Sequence, residues 1–224
     1  MRRDRSRGLT MVELLVGTAI GLLIGAASLS IVATNMRENR QLLLEARLMQ
    51  DLRLAADMVG RDLRRAGYWA ASASGIGGGE DTLPIANPYA AVTPAGAASD
   101  VVHLGFSRDA SEDDAVDDNE QFGFRLRGGA IEMQLGAGNW QALSDAGTLI
   151  VTSFDVAPRT DEVSLAAFCV EPCAAGSTTC PPRQQVRSFV VALSARSTAD
   201  ASVSRSLRSS VRLRNDRVVG SCEG

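Results

Sequence analysis

The feature that most constrains this chain is an uncharged stretch close to its start. Residues 14–33 form a run of twenty residues without a charge, and the leader before it, residues 1–8, carries four arginines and one aspartate. Twenty helical residues at about 1.5 Å each span about 30 Å, the thickness of a bilayer's hydrocarbon core. The basic leader favours a cytoplasmic start. The sequence therefore predicts a transmembrane helix over 14–34, with the rest of the chain exported.

A carboxylate stands at the edge of this span in a distinctive context. Glu13 is costly there and so indicates a functional residue. The six residues from Gly8 to Glu13 read Gly-Leu-Thr-Met-Val-Glu. A basic leader ending in glycine, this stretch and the apolar helix together resemble the signature of type IV prepilins. The resemblance implies that prepilin peptidase cuts between Gly8 and Leu9 and methylates Leu9. It also implies that Glu13 pairs with the methylated amine of a neighbouring subunit during assembly.

An ordinary signal peptide is the alternative for the same N-terminal region. Such a signal should carry a small-residue cleavage site after its apolar core, and Ala26-Ala27-Ser28 could serve as one. This alternative does not account for Glu13. It also does not account for the helical pattern that continues beyond the span.

The helical pattern continues past the span as an amphipathic stretch. Apolar residues recur there at steps of three and four, while charged residues occupy the other faces. The apolar stripe consists of Leu44, Leu48, Leu52, Ala55, Val59, Leu63 and Ala66. We therefore expect one helix over residues 9–68, with its second half lying against a globular domain.

Three glycines form a small-residue line inside the predicted span. Gly17, Gly21 and Gly25 recur at every fourth position and so lie on one face of a helix. Such a line favours close helix–helix packing, which is the interpretation we prefer. The alternative is that glycine is simply frequent in membrane helices.

All four cysteines lie in the final quarter of the chain, on the expected oxidising side of the membrane. They allow three pairings, and the sequence alone does not decide between them. We favour Cys173 with Cys180, which closes a short loop, and Cys169 with Cys222, which ties the chain end to the sheet. A zinc site is the competitor, but the C-x3-C-x6-C spacing is a poor match to zinc patterns.

After the helix, the pattern changes from helical periodicity to strand periodicity. Residues 69–100 are rich in glycine and proline, lack a clear period, and read as a long surface loop. Over residues 101–224 a period of two predicts strands. They are expected at 101–106, 122–127, 130–135, 148–156, 162–170, 186–195 and 207–214. Gly128-Gly129 forms a two-residue turn that pairs Arg127 with Ala130. The predicted fold class is α+β, a long N-terminal helix packed on an antiparallel sheet.

Three stretches of the exported part resemble the minor pilins of the PilW family. They are Arg64-Arg65-Ala66-Gly67-Tyr68-Trp69 at the helix end, the Gly-Gly hairpin, and Ser210-Val211-Arg212-Leu213-Arg214-Asn215 near the end of the chain. The resemblance implies a minor pilin of a type IV pilus. It would sit in the inner membrane with its C-terminal domain in the periplasm, and in the pilus on the cell surface after assembly.

The same resemblance implies a set of partners and a role. The partners are prepilin peptidase, the other minor pilins, the major pilin and the inner membrane. The role is initiation of pilus assembly, in support of twitching motility, adhesion or DNA uptake. A minor pseudopilin of a type II secretion system is the alternative.

The sequence contains no catalytic constellation, metal-site pattern or cofactor motif. GxSxG and HExxH are absent, and the lone His103 reads as a strand residue. We therefore expect a structural protein, with a membrane-anchored periplasmic enzyme as the least favoured alternative. The acidic cluster at 109–120 reads as a solvated loop, with calcium binding as the minority alternative. A formal net charge of −3 at pH 7 argues against nucleic-acid binding across the whole surface.

Overall fold

The computed structural model describes residues 10–75, 85–108 and 112–223 of the chain. The predicted cleavage site at Gly8 and Leu9 lies outside these residues, as do parts of the predicted loop and of the acidic cluster. The chain divides into two units, Met1–Leu44 and Glu45–Gly224. The boundary falls within the N-terminal helix, so the second half of that helix belongs to the same unit as the sheets.

The helix α1 spans Met11–Arg65 without interruption. It contains a window near the N-terminus that is long and apolar enough to cross a membrane, judged by length and composition. All side chains at positions 11–43 are exposed in the described part of the chain. The helix ends just before Gly67, whose φ of 75° is a left-handed conformation that glycine adopts readily. The bounds lie within three residues of the expected 9–68.

The second half of α1 buries the stripe that the sequence predicts. Leu52 is 1 % exposed, and Val59 and Leu63 are 0 % exposed. Leu48, Ala55 and Ala66 are also buried, whereas Leu44 is only partly covered. The helix therefore contributes one apolar stripe to the core, and its charged residues remain on the other faces.

The first sheet contains the predicted Gly-Gly hairpin. Its strands are β1 (Val101–Gly105), β2 (Gln121–Arg127), β3 (Ala130–Leu135) and β4 (Trp140–Ala142), hydrogen-bonded in that order and antiparallel. Arg127 pairs with Ala130, as the two-residue turn requires. The short β4 is not predicted from the sequence. Arg125 bonds Glu132 across the hairpin at 2.6 Å, Nε to Oε2, and its guanidinium lies over Trp140 of β4.

The second sheet consists of β5 (Leu149–Ser164), β6 (Arg183–Ser197), β7 (Ser204–Arg212) and β8 (Arg217–Val219). The order is β5-β6-β7, and β8 pairs with the start of β6 beyond the end of β7. This sheet packs closely on α1, because a Cβ added at Gly60 would lie 3.2 Å from Cγ2 of Val211. The class is therefore α+β as predicted, with two antiparallel sheets in place of one.

The predicted strands at 148–156 and 162–170 are wrong as separate elements. They form the single sixteen-residue strand β5, which ends at Ser164, and Ala166–Phe168 is a short 3-10 helix. Pro158 does not interrupt β5. Val156 bonds Ser99 on the side away from β6, so by the two-residue alternation the nitrogen of Pro158 also points away from β6. A proline at such an edge position removes no ladder hydrogen bond.

The segment predicted as a surface loop is partly buried. Ser72–Gly75 form a 3-10 helix, and Trp69, Tyr89 and Val92 have exposures of 4 %, 1 % and 8 %. The described part of this segment therefore supplies large side chains to the core while its backbone remains irregular.

Candidate functional site

The start of α1 places Glu13 in a capping box with Thr10. Oε2 of Glu13 accepts hydrogen bonds from the Thr10 backbone N–H at 3.1 Å and from its hydroxyl at 3.2 Å. The Thr10 hydroxyl oxygen in turn accepts from the Glu13 backbone N–H at 3.2 Å. These bonds satisfy donors that every helix start leaves open, and the helix dipole favours a carboxylate there. Glu13 is thus held in the first turn of α1, immediately before the predicted span.

The face of α1 that carries Gly17, Gly21 and Gly25 contacts no other described part of this chain. A Cβ built at any of the three positions meets no atom within 4 Å. Nothing in the described chain therefore requires glycine at these positions. Close packing of this line against another helix remains a prediction.

Several hydroxyl side chains within the same span bond the carbonyls of the preceding helical turn. Ser28 donates to the Ile24 carbonyl at 2.8 Å, and Thr34 donates to the Ser30 carbonyl at 3.0 Å. Such back-bonding removes the cost of carrying hydroxyl groups into hydrocarbon. Glu13 is the only acidic or basic residue between Thr10 and Met36.

The four cysteines form two disulfides at the end of the β5–β6 ribbon. Cys173 pairs with Cys180, and Cys169 pairs with Cys222, so none is free. This is the pairing that we favour from the sequence, and it leaves no thiolate for the zinc alternative. Two large apolar side chains are exposed beside the bridges, Phe168 at 80 % and Val170 at 95 %.

The acidic cluster is not simply a solvated loop. Glu120 is 1 % exposed, and its Oε2 accepts from the Tyr89 hydroxyl at 2.5 Å. The same hydroxyl lies 3.0 Å from Oε1 of Glu112, and Asp114 accepts from the indole N–H of Trp69 at 3.0 Å. These three carboxylates fasten the loop to the residues that follow α1.

Sequence reasoning missed this role of Glu120, although one local signal was available. Glu120 follows Asp117 at the spacing of a capping box, and its Oε2 accepts from the Asp117 backbone N–H at 3.1 Å. The Arg108 backbone N–H donates to its Oε1 at 2.7 Å. The contact with Tyr89 comes from 31 residues away and leaves no local pattern.

The structure gives no support to the calcium alternative within the residues that it describes. No group of three or more His, Cys, Asp or Glu side chains is placed there to hold a metal ion. Asp109 belongs to the predicted cluster and lies outside the described residues. His103, the lone histidine, is exposed on β1 and meets the edge of Trp140 at a centroid distance of 5.9 Å.

A family model described as prepilin peptidase-dependent protein B matches residues 41–213, more than half of the chain. The matched region contains the second half of α1 and strands β1 to β7. It begins after the predicted leader and span, so the match is independent of the N-terminal motif. Comparisons with curated proteins and with solved structures give no match.

Proposed function

The chain belongs to the family of prepilin peptidase-dependent protein B, and from this premise we propose that it is a minor pilin that initiates type IV pilus assembly. Family membership makes it a pilin-like protein that depends on prepilin peptidase. We further propose that prepilin peptidase cuts between Gly8 and Leu9 and that Leu9 is methylated. The mature protein is then held in the inner membrane until it is incorporated into the pilus. Its role there is structural and involves no catalysis or cofactor. The three stretches that resemble the PilW family support the proposed role as a minor pilin.

The observation that carries the proposal is the first half of α1. Its residues 14–33 carry no charge and are exposed on every side in the described chain, and they directly follow the capped carboxylate of Glu13. Exposed apolar surface of this extent requires lipid or other helices around it. In the proposed pilus, the other minor pilins and the major pilin supply those helices, and Glu13 pairs with the methylated amine of a neighbour.

Replacing Glu13 with glutamine tests the charge pair. Glutamine retains the capping box, so the helix start should persist while the charge is removed. We expect normal processing, normal membrane insertion, and loss of co-purification with the other minor pilins from membranes. Glu38→Gln is the matched control, because it removes one exposed carboxylate from the same helix outside the span. Equal co-purification of the wild type and the Glu13 variant would refute the charge pair.

Two further measurements test processing and the biological role. Mass spectrometry of the mature protein should find methylated Leu9 at the amino terminus, whereas a terminus near Ser28 would indicate an ordinary signal peptide. A deletion strain should lose surface pili and retain type II secretion. Loss of secretion with normal pili would instead identify a secretion pseudopilin.

A further inference from the structure

A cavity of about 550 Å³ lies between residues 90–95 and the outer half of the β5–β6 ribbon. This volume is within the range of small-ligand and peptide sites. Thr160 pairs with Arg187, and Gln185 pairs with Arg217, so these side chains project from one face of the sheet. We call this space the arginine cavity, because Arg159, Arg187 and Arg217 all line it.

Arg187 is held in place by main-chain groups. Its two terminal nitrogens donate to the carbonyls of Ala90 at 2.7 Å and Asn215 at 3.0 Å. Its Nε is buried and has no hydrogen-bond partner among the described residues. Burial, followed by the nearby charge of Arg217, lowers the pKa of Arg187, while Asp216 acts in the opposite direction. An incoming anion would relieve both the burial cost and the repulsion.

Two carboxylates lie near the cavity, and each has polar partners of its own. Glu162 lines the cavity, but its Oε1 accepts from Gln185 at 2.9 Å and its Oε2 lies 3.4 Å from Nε of Arg183. Oδ2 of Asp216 accepts from Gln184 at 2.7 Å and from Arg212 at 2.9 Å, whereas its Oδ1 is buried and has no hydrogen-bond partner among the described residues. The cavity therefore has an excess of positive charge in a chain whose formal net charge is −3.

The remaining walls favour an organic ligand over an inorganic ion. Val92, Pro94, Pro158 and Phe189 line the cavity with apolar surface. The main chain of β5 adds polar groups on the same side. Because Val156 bonds Ser99 away from β6, the N–H and C=O of Thr160 also point away from β6. No described strand pairs with Thr160 on that side, so a peptide backbone could bond there.

We propose that the arginine cavity binds a glutamate or aspartate side chain presented by an acidic peptide segment of a partner protein. The exposed guanidinium of Arg217 receives the carboxylate, since arginine matches the geometry of a carboxylate with paired N–H donors, and the nearby charge of Arg187 adds to the attraction. The apolar walls receive the neighbouring residues of the segment. This inference does not depend on the role proposed for Glu13.

Calorimetric titration of the full-length protein in detergent tests the proposal. The probe is a short peptide, blocked at both ends, with one central glutamate between alanine and valine residues. Its twin carries glutamine at the centre. We expect the glutamate peptide to bind at least about tenfold more tightly, the size expected for a hydrogen-bonded charge pair. Equal binding of the two peptides, or no binding of either, would overturn the proposal.

Matched variants locate the binding. Arg217→Gln should weaken the glutamate peptide about tenfold. Arg208→Gln removes the same charge from an exposed position on β7 outside the cavity and should change binding less than twofold. Equal weakening by both variants would mean general attraction to a basic surface. Binding of free succinate without binding of the peptide would mean a small-organic-acid site. Either result would refute the proposed peptide site.

Discussion

The sharpest test of the fold concerns the hydroxyl of Tyr89. This side chain is 1 % exposed, and its oxygen lies 2.5 Å from Oε2 of Glu120, 2.9 Å from the carbonyl of Ala115 and 3.0 Å from Oε1 of Glu112. Tyr89→Phe removes one oxygen atom and leaves the ring in place. The acceptors around it then lose their shared donor inside the protein.

The expected cost follows from the kind of bond that is lost. A hydrogen bond to a charged group contributes about 1.5–3 kcal/mol net, and a buried acceptor left without its partner adds to the cost. We expect Tyr89→Phe to lower the free energy of unfolding by about 2 kcal/mol. For a protein of this size, that change lowers Tm by about 4–8 °C.

Tryptophan fluorescence during heating is the appropriate assay, because Trp69 and Trp140 both belong to the unit that contains the sheets. The chain's other tyrosine provides the control. Tyr68 is 50 % exposed, so Tyr68→Phe should change Tm by less than about 2 °C. Equal shifts in the two variants would refute the reasoning that the Tyr89 hydroxyl fastens the acidic loop.

The same residue predicts a pH dependence. Burial, together with the carboxylates of Glu120 and Glu112, raises the pKa of Tyr89 above its ordinary value. The unfolded chain therefore loses this proton first as the pH rises, and stability falls above about pH 10, the ordinary tyrosine pKa. Tyr89→Phe should flatten this alkaline loss in a plot of Tm against pH. An unchanged alkaline slope would contradict the assignment.

Two other predictions concern the sheets. Gly123→Ala should destabilise by about 1–3 kcal/mol in a denaturant titration, because the new Cβ would lie 2.5 Å from the Val102 carbonyl oxygen. Gly96→Ala meets no atom within 4 Å and should be nearly neutral. Replacing the Cys169–Cys222 bridge by serines should cost about 4 kcal/mol, against about 2.5 kcal/mol for the shorter bridge, because its loop spans 53 residues instead of 7. Similar losses in Tm for both pairs would argue against this entropic account.

The fold follows from the sequence where local chemistry specifies it. The Gly128-Gly129 turn sets the hairpin register, and the apolar period of α1 sets the face that is buried. Reasoning failed where the deciding partner is distant. The predicted strands 148–156 and 162–170 form one strand because Pro158 takes an edge position, which depends on pairing with distant segments. The burial of Glu120 likewise depends on Tyr89, 31 residues away.

The candidate site divides in the same way. The Thr10–Glu13 spacing already contains a capping box, and the cysteine spacing favours the observed bridges. The arginine cavity could not be predicted, because Arg187 and Arg217 meet only through the pairing of β6 with β8. Strand pairing between distant segments is a tertiary property that no local pattern in this chain specifies.

The Cys169–Cys222 bridge has a mechanical consequence. It closes a covalent loop that contains β6, β7 and β8 entirely. Tension applied between α1 and the last residues of the chain is carried by the disulfide bond. It therefore bypasses the backbone between Cys169 and Cys222. Under such a load these strands cannot be unravelled from the C-terminal end. The greatest extension available to the chain is shortened by the contour length of the bypassed segment, about 170 Å at roughly 3.3 Å per residue.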